Sequence, residues 1–412
     1  MPEFLRLITP EEALSKFLAA FPDSLSSSEE VIPTVDALGR ILSQSVSADE
    51  PSPPFDRSTV DGYAVRAKDT YGASASLPAY LKLIGEIDMG TEAEIALQAP
   101  EALSIHTGGM IPQGSNAVVM IENTQIVREG EIEVFKPVAE GENILQKGED
   151  VQVGDVILEV GQRIRAQEIG GLMALGKTKI DVSKKPRVGI LSTGDEIIPP
   201  KLEPSPGQIR DINSYTLSAL VTKAGGIPIR HGIIPDRYED LLNAARMSHA
   251  QDDLVVITAG SSVSVHDQTA NVIQELGEPG VLVHGVSIRP GKPTILAIAD
   301  DVPIIGLPGN PVSALVVAGL FVVPAIRKLL GMTLDEIVPQ VLARLSINVS
   351  SETGREDYLP VKLLQSKDGW VAEPIFGRSN LIFTLVRADG LVRIPPKATG
   401  LPSGAEVSVR LF

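Results

Sequence analysis

RVGILSTG (Arg187–Gly194), PIRHGII (Pro228–Ile234), DLVVITAG (Asp253–Gly260) and VPIIGLPG (Val302–Gly309) are four short apolar runs within one stretch of chain. Each is followed by a segment of helical periodicity: SYTLSALVTKAGG, YEDLLNAARMSHA, TANVIQELG and PVSALVVAGLFVVPAIRKLL. Strand, loop and helix in this alternation predict a parallel sheet with helices on both faces. Such a sheet binds ligands where the C-terminal ends of its strands meet the helix N-termini.

The pattern changes on either side. Upstream, Leu81 to Val160 alternates short apolar runs with glycine turns (AVVMIENTQIV, EIEVFKPV, DVILEV), which predicts a β-rich region. PSPPFDRSTVDGYAV (Pro51–Val65) reads as a loop entering a strand. Thr9-Pro10-Glu11-Glu12 is a helix start, with a capping threonine, an early proline and acids at the positive helix end. QEIGGLMALG (Gln167–Gly176) predicts a short helix that rejoins the N-terminal one, making the first domain discontinuous. Beyond Met332, ARLSINVS, YLPVKLL, GLVRIPP and AEVSVRLF predict a small terminal β domain. The expected multidomain division is 1–50 with 151–183 as a discontinuous N-terminal linker domain, 51–150 as the β-rich domain, 184–331 as the α/β domain and 332–412 as the C-terminal β domain.

Composition narrows the function classes. Of 412 residues, 43% are hydrophobic and 21% charged, an ordinary globular balance. The net charge of −16 opposes general nucleic-acid binding, which needs clustered Lys and Arg. There is no cysteine, so disulfides, thiolate metal sites and thiol nucleophiles are excluded. The N-terminus lacks the pattern of a signal peptide. Val312 to Ile326, the most apolar stretch, is short for a membrane span, holds Pro324 and reads as a buried helix. These features predict a cytoplasmic protein without membrane or nucleic-acid partners.

The polar residues at the strand ends suit a phosphorylated ligand. Ser192, Thr193 and Gly194, then Gly260, Ser261 and Ser262, let backbone approach an anion closely and add hydroxyl donors. Glu196, Asp236 and Asp267 offer carboxylates to a divalent cation. Pro308, Gly309, Asn310 and Pro311 lead into a helix N-terminus, and Arg289 and Lys292 in RPGKP form a rigid cationic loop. Thr107 joins an apolar strand to a glycine turn and could donate to an oxyanion. The five histidines show no zinc-hydrolase spacing, and neither a Walker loop nor a dinucleotide fingerprint is present.

Seven strings occur in order: PPFDRSTVDGYAV, HTGGMIPQGSNAVVMIENT, KGEDV, VGILSTGDEI, GQIRDINSY, RPGKP and GLPGNPVSAL. Together they resemble the molybdopterin molybdenumtransferase family, which includes the C-terminal domain of gephyrin, over nearly the whole chain. The resemblance implies an elongated four-domain homodimer whose cleft lies between the α/β domain of one subunit and the β-rich domain of the other. It implies insertion of molybdate into adenylyl-molybdopterin with release of AMP, helped by a divalent metal such as Mg²⁺. Asp61, Thr107 and Asp150 would face the cleft from the β-rich domain, with Lys147 beside them. Glu196, Asp236 and Asp267 would supply the carboxylates and hold the metal. Asn213 and Lys292 would contact the ligand, Pro308 and Pro311 would shape its pocket, and Ser379 would reach in from the terminal domain. An upstream adenylyltransferase and acceptor molybdoenzymes are the implied partners.

Some residues depart from the family pattern. NILQKGED has Leu145 and Gln146 where arginines are common, so a cationic contact to molybdate is either lost or moved to Lys147. Gly260-Ser261 replaces Gly-Gly, and the loop after it is one residue short, so Asp267 and Gln268 both fit the usual acidic position. Arg289 stands where Lys is usual. Residue types do not separate molybdate from tungstate or a divergent paralogue. A protein that stores or delivers the cofactor is the alternative of another class; the retained Asp61, Glu196 and Asp236 favour an enzyme.

Overall fold

The structure, a computed structural model, describes residues 7–22, 28–259, 263–332 and 339–412, the side chains of 263–267 excepted. The chain opens with α1 (Pro10–Ala19), where Thr9 Oγ1 accepts the Glu12 N–H at 3.2 Å, and β1 (Glu29–Pro33). A six-stranded sheet follows: β2 (Gly62–Val65), β3 (Ala79–Glu86), β4 (Glu101–Ile105), β5 (Ala117–Met120), β6 (Thr124–Arg128) and β7 (Glu131–Val134). Its order is β5-β2-β4-β3-β7-β6, with β3 and β4 parallel and the other neighbours antiparallel.

The chain then returns through α2 (Ala166–Ala174) and β8 (Lys179–Ser183), and β8 pairs antiparallel with β1. Val46–Ser47 lies against Val156–Leu158, and Ser52 against Val151, where the two passages run side by side. Leu172 of α2 packs with Ala37, Leu42, Ile164 and Val182.

The expected union of α2 with α1 does not occur. Ala13 and Phe17 of α1, with Phe21 beyond it, enter the core of the α/β region instead, beside Val188, Leu217 and Phe321. The two rings meet edge to face at 5.1 Å. The nine-residue α2 carries Gly170 and Gly171 and buries only Glu168 and Leu172, so it offers little surface to cover two large aromatics.

The α/β region runs β9 (Arg187–Thr193), α3 (Asn213–Ala224), β10 (Ile227–Ile234), α4 (Tyr238–Gln251), β11 (Leu254–Ala259), α5 (Val263–Leu276), β12 (Pro279–His284), β13 (Ile295–Ala299), β14 (Val302–Pro308) and α6 (Pro311–Leu329). The sheet order is β10-β9-β11-β14-β13-β12. The first four strands are parallel, while β13 runs antiparallel to both β14 and β12. The sheet is therefore mixed at one side rather than wholly parallel. Strands β12 and β13 have no helix between them to give them away. The β13–β14 hairpin turns on Asp300 and Asp301, both at positive φ, a primed turn written without its usual glycine.

Helices α1, α3 and α6 cover one face, through Phe17, Leu217, Val221, Phe321 and Val322. Helices α4 and α5 cover the other, through Leu241, Ala245, Val272 and Ile273. Helix α6 is long and apolar enough to cross a membrane by length and composition, but twelve of its residues are buried.

The last region is a closed barrel of β15 (Gln340–Leu345), β16 (Glu356–Ser366), β17 (Gly369–Pro374), β18 (Gly390–Ile394) and β19 (Glu406–Leu411). Its order is β16-β17-β15-β19-β18, and β18 pairs back onto β16. Closure leaves few free edges. Ile288–Arg289, leading into RPGKP, adds to the barrel in parallel beside Glu356–Asp357 and ties it to the α/β region.

Candidate functional site

Parallel register aligns the strand ends of the α/β sheet. Ser192 stands opposite Thr258, Thr258 opposite Leu307, and Thr193 opposite Ile234. Apolar neighbours bury these polar residues: Ser192, Thr193 and Thr258 are all 2% exposed or less. Gly194 follows at φ +148°, where a Cβ would lie 2.8 Å from Ile197, so the turn needs glycine.

Asn213, at the start of α3, donates from Nδ2 to the Gly309 carbonyl at 2.8 Å, joining the helix to the GLPGNP loop. The Asp236 N–H donates to Asp195 Oδ1 at 3.2 Å. Among the described residues, three buried polar atoms along this edge have no hydrogen-bond partner: Thr193 Oγ1, Asn213 Oδ1 and Asp236 Oδ1. Buried polar groups are nearly always satisfied, so a row of orphans at strand ends marks a place for a ligand. Glu196 is exposed beside them. Gly260, Ser261, Ser262 and the Asp267 side chain lie outside the described residues, so the expected third carboxylate has no described position. Among the described residues no group of three acidic or histidine side chains is placed to hold a metal.

Next to this edge, between the α/β region and the barrel, is a cavity of about 930 Å³. Of the residues expected at the site, Arg289, Lys292, Pro308, Asn310 and Ser379 line it, and Gly309 and Pro311 do not. Arg355, Arg378, Asp357 and Ser313 line it too and were not expected there. Gly354-Arg355 directly before a β segment was the available signal, but a lone arginine in a loop is usually solvated.

The cavity wall holds four cationic side chains and one carboxylate. Arg355 bonds through Nε to Asp357 Oδ1 at 3.0 Å and through Nη1 to Glu352 Oε2 at 2.9 Å. Its Nη2 is buried and has no partner among the described residues. Arg289 Nη1 is 3.9 Å from Asp357 Oδ2. Lys292 is exposed. Ser379 meets the site through its backbone, its carbonyl accepting the Val312 N–H at 3.0 Å near the start of α6.

On the β-rich sheet, Asp61 and Thr107 form a pair. Asp61 Oδ1 accepts the Thr107 N–H at 2.7 Å and the Thr107 hydroxyl at 3.1 Å. These two bonds, backbone first, and then the His106 imidazole hold Asp61 below the usual carboxylate range. The hydroxyl expected to serve an oxyanion is thus committed to Asp61, because a carboxylate is the stronger nearby acceptor.

Lys147 and Asp150 do not bond to this pair. The Lys147 N–H donates to Asp56 Oδ1 and the Asp150 N–H to the Ser52 carbonyl. They hang instead from the far side of one ribbon: Arg57 pairs with Leu145 on one edge and with Met110 on the other. The cores of this sheet share no residue with those of the α/β sheet.

Comparison with known proteins decides the family. The MoeA N-terminal region (domain I and II) matches residues 8–176, the "Probable molybdopterin binding domain" residues 189–328, and the MoeA C-terminal region (domain IV) residues 342–412. Two crystal structures of molybdopterin biosynthesis MoeA proteins from Pyrococcus horikoshii are 39% and 32% identical, with TM-scores of 0.83 and 0.86. They match 99% of this chain, and 99% and 100% of their own. A molybdopterin molybdenumtransferase of Nostoc sp. is 34% identical, covering 92% of this chain and 88% of its own.

This chain belongs to the MoeA family. Within a MoeA chain, the orphaned strand-end atoms and RPGKP fall inside the molybdopterin-binding match, while Arg355 and Ser379 come from the domain IV match.

Proposed function

We propose that this protein is a molybdopterin molybdenumtransferase that joins molybdate to adenylyl-molybdopterin and releases AMP. The observation that carries the reading is the cavity wall of four cations and one carboxylate in a chain of net charge −16. A local reversal of sign on an acidic protein selects an anionic ligand. Arg355 Nη2, buried and unpaired among the described residues, is a donor for an oxyanion, and Lys292 and Arg378 add charge. The strand-end atoms of Thr193, Asn213 and Asp236 complete an adjacent subsite for the nucleotide-bearing pterin. Holding both reactants side by side is most of what such a transfer needs.

Asp236 Oδ1 and the Glu196 carboxylate are hard oxygen donors, fitting a divalent cation such as Mg²⁺, with Asp267 proposed as the third. Such a cation, when bound, offsets charge on the phosphate of the departing AMP. Asp61 and Thr107 sit on a sheet with its own core, so we assign them to the site of a second copy in a homodimer. Exposed Val31, Val35 and Leu38 with Val153 and Val156, all in the linker region, supply apolar surface for that pairing.

The test is AMP release from adenylyl-molybdopterin with Mg²⁺ and either molybdate or tungstate. Release that requires an oxyanion and stops with a chelator is the expected result, and the more effective oxyanion is the substrate. Tight nucleotide binding without release under either oxyanion would overturn the transferase in favour of a storage protein.

A further inference from the structure

Asp61 has a neighbour that this chemistry leaves unused. Strands β2, β4 and β3 are adjacent in the sheet, and their register sets Gly62 opposite Ile105 and Glu86 opposite Ser104. Asp61, His106 and Glu86 therefore gather at one end of the sheet. His106 Nε2 lies 2.8 Å from Glu86 Oε1, and its Nδ1 lies 3.8 Å from Asp61 Oδ1. The imidazole is half exposed, and Asp61 and Glu86 are the charged groups that face it from the strands on either side.

We propose that His106, anchored by Glu86, is a positioning residue for Asp61. The two Thr107 donors bond to Oδ1 and the His106 imidazole stands 3.8 Å from it, so one carboxylate oxygen is held. Asp61 Oδ2 accepts no bond among the described residues and is the oxygen left for a ligand. Glu86 Oε1, 2.8 Å from Nε2, fixes the ring with Nδ1 on the Asp61 side. The assignment rests on the reading of Asp61 as a site carboxylate.

The experiment compares wild type, His106→Ala, His106→Gln and Glu86→Gln in oxyanion-dependent AMP release across pH. His106→Ala is expected to lower kcat about fivefold, an exposed pair being a modest contributor. The KM for the pterin nucleotide should stay unchanged, and the acid limb of the profile should move to higher pH, because Asp61 loses the imidazole that helps hold its carboxyl down. His106→Gln, which keeps a donor toward Glu86, should restore kcat but not the acid limb. Unchanged kcat and acid limb in His106→Ala would overturn the proposal, as would a raised KM at unchanged kcat, which marks a ligand contact instead. An independent readout separates this from failure of the transferase reading. With five histidines in the chain, the His106 imidazole resonances can be assigned and should move in Asp61→Asn and Glu86→Gln. Resonances that stay put would sink the proposal whether or not AMP is released.

Discussion

On the β-rich sheet, single residues act by what they exclude. Gly62 follows Asp61, and a Cβ there would lie 1.9 Å from the Val119 carbonyl oxygen, so no side chain fits without moving β5. Gly62→Ala should cost about 3 kcal/mol through overpacking, read as a lowered Tm, and should displace the adjoining carboxylate. Thr107 has a different role, since it spends both its donors on Asp61. Asp61 is held below the usual carboxylate range, so its ionised contacts persist above that range and are lost as pH falls through the depressed value. Thr107→Val removes one donor and lets the carboxyl rise. The acid limb of activity should then move to higher pH, and the rate should fall about tenfold, the worth of one hydrogen bond to a charged group. The sequence pointed to both residues through the motifs that hold them. It could not show that the threonine serves the aspartate, because that depends on β2 and β4 being neighbours across an intervening stretch of chain.

At the scale of elements, α1 is where local pattern and packing part company. Its capping and its apolar face were legible in Thr9-Pro10-Glu11-Glu12 and the residues that follow. The core it joins was not, because nothing local distinguishes α2 from α6 as a partner. Phe17 is fully buried against the α/β core. Phe17→Ala should cost about 4 kcal/mol, with hydrogen exchange rising in α6 and leaving β1 and β8 protected. Equal loosening of β1 and β8 would place α1 with the linker after all. The barrel has its own buried anchor, Glu356. Burial pushes its carboxyl up, but the Arg393 and Tyr358 hydrogen bonds outweigh that and leave it below its ordinary value. Its stabilisation is therefore present above the ordinary carboxylate range and fades as pH falls below it. Glu356→Gln should lower the Tm at neutral pH and lose that deficit in acid. The strand-helix alternation revealed the α/β sheet, yet β12 and β13 escaped notice because a hairpin on two aspartates looks like a loop.

For the whole molecule, the sequence strings named the family and part of the lining of the cavity, but not its charge balance. Arg355 and Arg378 become part of one site only when the barrel closes against RPGKP and the start of α6. The Asp61 pair and the strand-end group sit on sheets with separate cores, and the proposed homodimer brings them together. A two-fold assembly makes that claim testable by mixing. Asp61→Asn and Glu196→Ala chains each disable every site in their own dimers. In mixed dimers one site inherits both lesions and the other inherits neither. Co-expression of the two chains in equal amounts, followed by molybdate-dependent AMP release, is the most direct measurement. A shared site gives near silence from each variant alone and about a quarter of the wild-type rate from the mixture, half the dimers having one intact site. A mixture as silent as its parts, beside an active wild type, would contradict a site shared between subunits.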